Sequence, residues 1–231
     1  MSEQTAAEFF DAWETYRKVV AGNHMFHREI GIEARAALRE RFGDSPFSLL
    51  DLGCGDAATL APLLEGFALE SYRGVDLSRT ALALAARNLA ALPCPVELAE
   101  DDLMSALAAA APCDAIYSGF AVHHLTTAEK AEFFKLAARK LSPGGLLLLV
   151  DVVREEDESI AVYHASYCDW LRRSWTGLEP AEREQVCAHL TENDAPEPWS
   201  VLCTQAEAAG LAPLADEAGY KWHRLMRFAR A

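Results

Sequence analysis

Long apolar runs are missing from this chain: no stretch approaches the roughly 18 to 20 residues a helix needs to span a bilayer, so no membrane partner is expected. Cysteine pairs at metal-ligand spacing are missing too. The six cysteines (Cys54, Cys94, Cys113, Cys168, Cys187 and Cys203) show no C-x-x-C, which argues against a zinc site or a disulfide framework and predicts reduced thiols without a bound metal. Bases are scarce, 21 against 35 acids, and the formal net charge of −14 opposes the counterion release that drives much nucleic-acid binding. Lys221, Arg224, Arg227 and Arg230 lie along one expected strand and read as a solvated face, so nucleic acid is not an expected partner. The opening MSEQTAAEFFDAWETY carries acids where a secretory signal has bases and an apolar block, which makes a cytoplasmic location the expectation.

What is present is concentrated in Leu49 to Ala57, LLDLGCGDA: an apolar run ending in Asp51, Gly53 and Gly55 one residue apart, then Asp56. An apolar strand that breaks into a glycine turn and reopens as a helix brings backbone N–H groups up to a small ligand. A dinucleotide would set its pyrophosphate at that helix start, where Asp51 and Asp56 repel it, whereas a cationic ligand is attracted. Ala58 completes G-x-G-x-x-A, so a nicotinamide-dependent oxidoreductase stays open on this motif alone. A binding protein that keeps such a fold without catalysis is a further alternative.

Around this turn the chain alternates strand and helix. Two helices precede the first strand, the first opened by the capping box Thr5 to Glu8 with Phe9, Phe10, Trp13 and Tyr16 on one face, the second over 24–41. Strands are expected at 47–52, 71–75, 96–99, 114–118 and 146–150, with helices at 57–64 and 78–91 and one opened by the capping box Thr126 to Glu129. Ser142-Pro143-Gly144-Gly145 forms a turn before the last of these strands. The segment 154–198 breaks the rhythm with two helices, 159–175 and 180–190. After a helix at 200–209, strands at 211–217 and 221–229 are close enough to pair as a hairpin. The expectation is a doubly wound, mostly parallel seven-stranded sheet with a C-terminal antiparallel hairpin. Residues 1–44 form lid helices, 45–231 the Rossmann-like domain, and 154–198 a helical insert facing the substrate.

On Asp51-Leu52-Gly53-Cys54-Gly55, on Asp76 in RGVDLS and on Cys113 to Leu125 (CDAIYSGFAVHHL), the chain resembles the class I S-adenosylmethionine-dependent methyltransferases, in their small-molecule branch. The resemblance runs from about Phe47 to Phe228. It implies S-adenosylmethionine as cofactor and a methyl group passed to an O, N or S atom of a small acceptor, with RNA or protein as acceptor the alternative within the family. Asp51, Gly53, Cys54 and Gly55 would lie along the methionine part. Asp76, about 21 positions beyond Gly55, stands at a distance from which an acid accepts both ribose hydroxyls, although it could instead cap the following helix. Asp101 or Asp102, with Asp102 favoured, would meet the adenine amino group between Leu77 and Leu103 as apolar walls, and Ser118 and Gly119 would offer carbonyls to the ammonium. The family's nucleobase-methylating members carry D/N/S-P-P-Y/F/W here, and Ser118-Gly119-Phe120-Ala121 departs from it.

His123 and His124 are the candidate general bases, one of them being architectural. Arg28, near His24 and His27, is the candidate cation for the methionine carboxylate, with a solvent-facing helix as the alternative. Tyr163, His164, Tyr167, Trp170 and Trp175 either wall the acceptor pocket or pack as core. Such a transfer is an in-line displacement on an already activated methyl, so alignment alone supplies about 7–11 kcal/mol, and a base is needed only for a poorly ionised O–H or N–H.

Overall fold

A computed structural model describes residues 6–214 and 219–230, with side chains from residue 14 onward. The expected cap at Thr5, the side chains of Phe9, Phe10 and Trp13, and residues 215–217 of the first hairpin strand lie outside the described residues. The chain divides into two compact units, Met1–Arg28 with Asp157–Asp194, and Glu29–Glu156 with Ala195–Ala231.

The larger unit holds a seven-stranded sheet made of β1 (Phe47–Leu52), β2 (Leu69–Asp76), β3 (Val96–Glu100), β4 (Cys113–Gly119), β5 (Leu141–Val152), β6 (Leu211–Pro213) and β7 (His223–Arg230). Their order is β3-β2-β1-β4-β5-β7-β6. The pairings among β1 to β5 are parallel, and β7 runs antiparallel between β5 and β6, the expected terminal hairpin. Leu146 to Val150 are buried, which is why a run with no polar alternation becomes an interior strand covered on both faces. The turn expected at 142–145 is absorbed as an irregular start of β5, with a register shift opposite Cys113–Ala115 and Gly144 at φ +72.

Helices α2 (His27–Phe42), α3 (Arg79–Asn88), α4 (Leu103–Ala109), α5 (Thr127–Lys140) and α8 (Trp199–Ala208) serve this unit, α2 from Glu29 onward. Ile30, Ala34, Ala37 and Leu38 give α2 its buried stripe, and Tyr220 donates to Glu33 at 2.6 Å. The capping box of α5 forms as read: Thr126 and Glu129 satisfy each other's backbone N–H, an arrangement with a cap worth about 1 kcal/mol. Phe133, Phe134 and Ala137 of α5 are fully buried, with the Phe134 ring 5.1 Å from that of Phe228 on β7. Two of the basic residues read as a solvated face are engaged instead, Arg227 with Glu40 at 3.2 Å and Arg230 with the Leu141 carbonyl.

One expected helix does not form. In place of 57–64 there are turns and a single 3-10 turn, Ala61–Leu64. Pro62 lacks the N–H that would bond the Ala58 carbonyl and its ring clashes there, so it is tolerated only in a first turn; Ala57, at φ +55, is outside the helical region.

The smaller unit is helical: α1 (Ala6–Ala21), α6 (Ile160–Ser174) and α7 (Pro180–Asn193). The N-terminal helices expected as one segment thus fall into different units. Lys18 and Glu182 join α1 to α7 at 2.6 Å. Tyr163, Tyr167, Leu171 and Trp175 of the insert are buried, Trp175 stacks on His24 at 5.2 Å, and Trp170 stands edge-on to both Tyr167 and Trp175. These aromatics form the core of the helical unit.

Candidate active site

Parallel register sets the carboxyl ends of β1, β2 and β4 side by side: Leu52 is level with Val75 and with Ser118, whose hydroxyl donates to the Leu52 carbonyl at 2.8 Å. Crevices at such strand ends are where open α/β sheets take ligands. The turn after β1 is drawn tight by its own backbone. Gly53 and Cys54 both donate to the Val75 carbonyl at 2.9 Å, Gly55 to Asp76 Oδ2 at 2.8 Å, Ala57 to the Cys54 carbonyl at 2.9 Å, and Ala58 to Asp56 Oδ1 at 3.0 Å. The N–H groups that would hold a pyrophosphate are therefore committed, and no helix dipole follows them. Gly53 is required twice over, by φ +73 and because a Cβ would come within 2.7 Å of Ala121 Cβ.

Asp51 is 1 % exposed. Its Oδ2 accepts the Tyr72 hydroxyl at 2.5 Å, while its Oδ1 has no hydrogen-bond partner. Burial pushes its carboxyl up to about 7, with Asp76 adding to the effect and the Tyr72 hydrogen bond opposing it. A buried carboxylate oxygen without a donor carries a desolvation cost that a cationic N–H group relieves. This acceptor suits the ammonium of an amino acid and is wrong for a phosphate.

Asp76 ends β2 and accepts from Gly55 with one oxygen and from Ser78 N–H, at 2.8 Å, with the other. The cap of α3 is Ser78 itself, through Ala81 N–H at 3.2 Å, so Asp76 braces the glycine turn rather than the helix. A carboxylate has four lone-pair sites, which leaves acceptor capacity on both oxygens. Leu77 beside it is 62 % exposed, an apolar side chain standing at a strand end. At the tip of β3, Asp102 caps α4 by accepting from Met104 and Ser105 N–H, and the Ser105 side-chain hydrogen bond, together with these N–H groups, holds its carboxyl below the usual range. Asp101 Oδ1 accepts the Asp102 N–H at 2.9 Å, and the Asp101 N–H donates to the Asp76 carbonyl at 3.3 Å. Leu103 opens α4.

Beyond β4, Gly119 leads into Phe120 at φ +53 and a 3-10 turn, Val122–His124. His123 is buried and doubly tied to Asp151 near the end of β5, ring Nδ1 to Oδ1 at 2.5 Å and backbone N–H to Oδ2 at 2.9 Å. Donation from Nδ1 to Asp151 selects the tautomer whose second ring nitrogen, Nε2, carries the lone pair. His124 is exposed, its ring 4.0 Å from that of His123. Lys130 Nζ reaches the carbonyls of His123 at 3.5 Å and of Leu125, pinning the turn. Arg28 belongs to the helical unit, where its guanidinium donates to the Ala21 carbonyl at 3.0 Å.

The structure thus gathers Asp51, Gly53, Cys54, Gly55, Asp76, Asp101, Ser118, Gly119 and His123 at adjoining strand ends. Tyr72 and Asp151 are the two participants that the residue pattern did not single out. Both become visible only through sheet register, Tyr72 by neighbouring β1 and Asp151 by neighbouring β4.

Residues 49–145 match the family model described as "Methyltransferase domain". No curated protein matches the chain. Among solved structures, magnesium protoporphyrin IX methyltransferase from Synechocystis PCC 6803 with bound SAH superposes with a TM-score of 0.65 at 15% identity, covering 96% of this chain and 94% of that one. An O-methyltransferase family 2 protein from Planctomyces limnophilus in complex with apigenin gives 0.65 at 15% identity, over 100% of this chain and 63% of that one. A cyclopropane synthase from Mycobacterium tuberculosis gives 0.58 at 19% identity over 80% of this chain, and this chain spans 62% of its length. The match to a methyltransferase domain thus covers residues 49–145, and the fold of the chain is the one seen in these S-adenosylmethionine-dependent methyltransferases.

Proposed function

We propose that this methyltransferase domain binds S-adenosylmethionine across the ends of β1, β2 and β3 and passes its methyl group to an O, N or S atom of a small molecule. The observation that carries the reading is Asp51: a buried carboxylate with one oxygen unpartnered, beside a glycine turn whose N–H groups are already used. When bound, the cofactor supplies an activated sulfonium methyl. The residues supply the rest. Asp51 Oδ1 takes the ammonium, with the Ser118 and Gly119 carbonyls beside it, and Asp76 takes the ribose hydroxyls while bracing the turn. Leu77 and Leu103 flank the adenine. Asp102 spends one oxygen on its helix cap, so the amino group falls to its second oxygen or to Asp101.

For a hydroxyl or amine acceptor, His123 Nε2 accepts the proton as the acceptor atom becomes a nucleophile, and Asp151 holds the ring in the required tautomer. His124, exposed beside the His123 ring, is the lesser candidate. A small acceptor is favoured over RNA by the net charge of −14 and by Ser118-Gly119-Phe120-Ala121 where nucleobase methyltransferases carry a Pro-Pro signature. Among the described residues no helix is long and apolar enough to cross a membrane. Free thiols at all six cysteines support a reducing, cytoplasmic setting.

The test is transfer of radiolabelled methyl from S-adenosylmethionine in the presence of small-molecule extracts, total RNA and protein. Label is expected in a small-molecule product. Label in RNA or protein instead, or hydride exchange with a nicotinamide cofactor and no transfer, would overturn the reading.

A further inference from the structure

We propose that Tyr72 is a positioning residue of the cofactor site, its phenol fixing Oδ2 of Asp51 so that Oδ1 alone faces the incoming ammonium. Asp51 is taken, as above, as the ammonium's partner. Tyr72 is 1 % exposed on β2, and its hydroxyl lies 2.5 Å from Asp51 Oδ2. The ring reaches that point because of a glycine. In the β1–β2 register Asp51 stands opposite Gly74, and a Cβ there would meet Tyr72 Cε1 and Cys54 Sγ at 3.0 Å and Leu98 Cδ2 at 2.8 Å. The absent side chain is the space the phenol uses.

The groups around Asp51 make this bond consequential. Tyr72 and Asp76 approach from β2, Cys54 from the turn with Asp56 acting on Cys54, and Tyr117 stands level with Asp51 on β4; none of them carries positive charge. Within this set the Tyr72 hydroxyl is the group that stabilises the ionised carboxylate, against burial and the Asp76 charge. Tyr72 therefore sets both the direction of the carboxylate and the pH at which it is charged.

Tyr72→Phe keeps the ring and removes the bond. Affinity for S-adenosylhomocysteine, measured by titration calorimetry from pH 6 to 8.5, is expected to fall about tenfold at pH 7. The gap should narrow toward pH 8.5, because the variant's carboxyl holds its proton to higher pH. Urea unfolding of the ligand-free proteins gives a second reading: the decline of stability with rising pH should extend to higher pH in the variant than in the wild type. A pH-independent loss of affinity, or curves that superpose on the wild type, would overturn the role of Tyr72 and leave Asp51's untouched. Failure of the wild type itself to bind S-adenosylhomocysteine would overturn the cofactor reading and this role with it.

Discussion

Asp51→Asn separates stability from binding, because the same burial that makes the carboxylate a good ammonium partner makes it costly to the empty fold. Its carboxyl rises from the ordinary 3.8 to about 7, chiefly through desolvation. At 1.36 kcal/mol per tenfold change, that difference is about 4 kcal/mol. The folded chain holds this proton to higher pH than the unfolded chain does, so the contribution is intact below about pH 4. It declines as pH rises and is gone by about pH 8. Asparagine abolishes the dependence, but its amide N–H atoms, placed where Oδ1 lacks a partner, cost about 1–3 kcal/mol. About 1 kcal/mol of the wild type's contribution is already lost at pH 4.5, so the variant should be less stable by up to about 2 kcal/mol there and more stable by about 1–3 kcal/mol at pH 8. Urea midpoints at the two pH values check this, while S-adenosylhomocysteine affinity at pH 8 should drop at least about tenfold with the loss of a charge-assisted bond. A variant less stable by the same margin at both pH values would refute the reasoning.

Three further outcomes follow from single contacts. Asp76→Ala removes the acceptor for Gly55 N–H and the ribose partner, and should weaken S-adenosylhomocysteine binding at least about tenfold while circular dichroism shows the protein folded. Gly53→Ala meets both the positive φ and the 2.7 Å approach to Ala121, and should lower stability by about 2–4 kcal/mol in urea unfolding. Asp151→Asn lets the His123 ring take the wrong tautomer: turnover on a hydroxyl or amine acceptor should fall about 10²- to 10⁴-fold, with S-adenosylhomocysteine affinity within about threefold of wild type. Equal losses in both would make Asp151 structural.

Elements with a strong local signal were legible in the residues. Leu146 to Val150 could only be an interior strand, and Thr126 with Glu129 announced the start of α5. The acid-Gly-x-Gly turn and the acid at the end of β2 were legible for the same reason, since each depends on its immediate neighbours. The helix expected after the turn failed on one residue, Pro62, whose missing N–H outweighs the apolar pattern from Ala57 to Leu64. Tyr72 and Asp151 were hidden for a different reason. Tyr72 acts on Asp51 of the neighbouring strand and Asp151 on His123 in the turn that follows its neighbouring strand, and which strands become neighbours is decided by the whole sheet. The split between the helical unit and the sheet unit, with α1 joining α6 and α7 across 138 or more residues of intervening chain, is likewise a tertiary outcome that no local pattern encodes.

The central claim, that an ammonium-bearing nucleoside without phosphate occupies the ends of the first strands, is tested most directly by calorimetric titration of the purified protein with S-adenosylhomocysteine and, separately, with NADH. Saturable one-to-one binding of the first, lost in Asp76→Ala, and no heat from the second is the predicted result. Binding of NADH, or of neither compound, would contradict it.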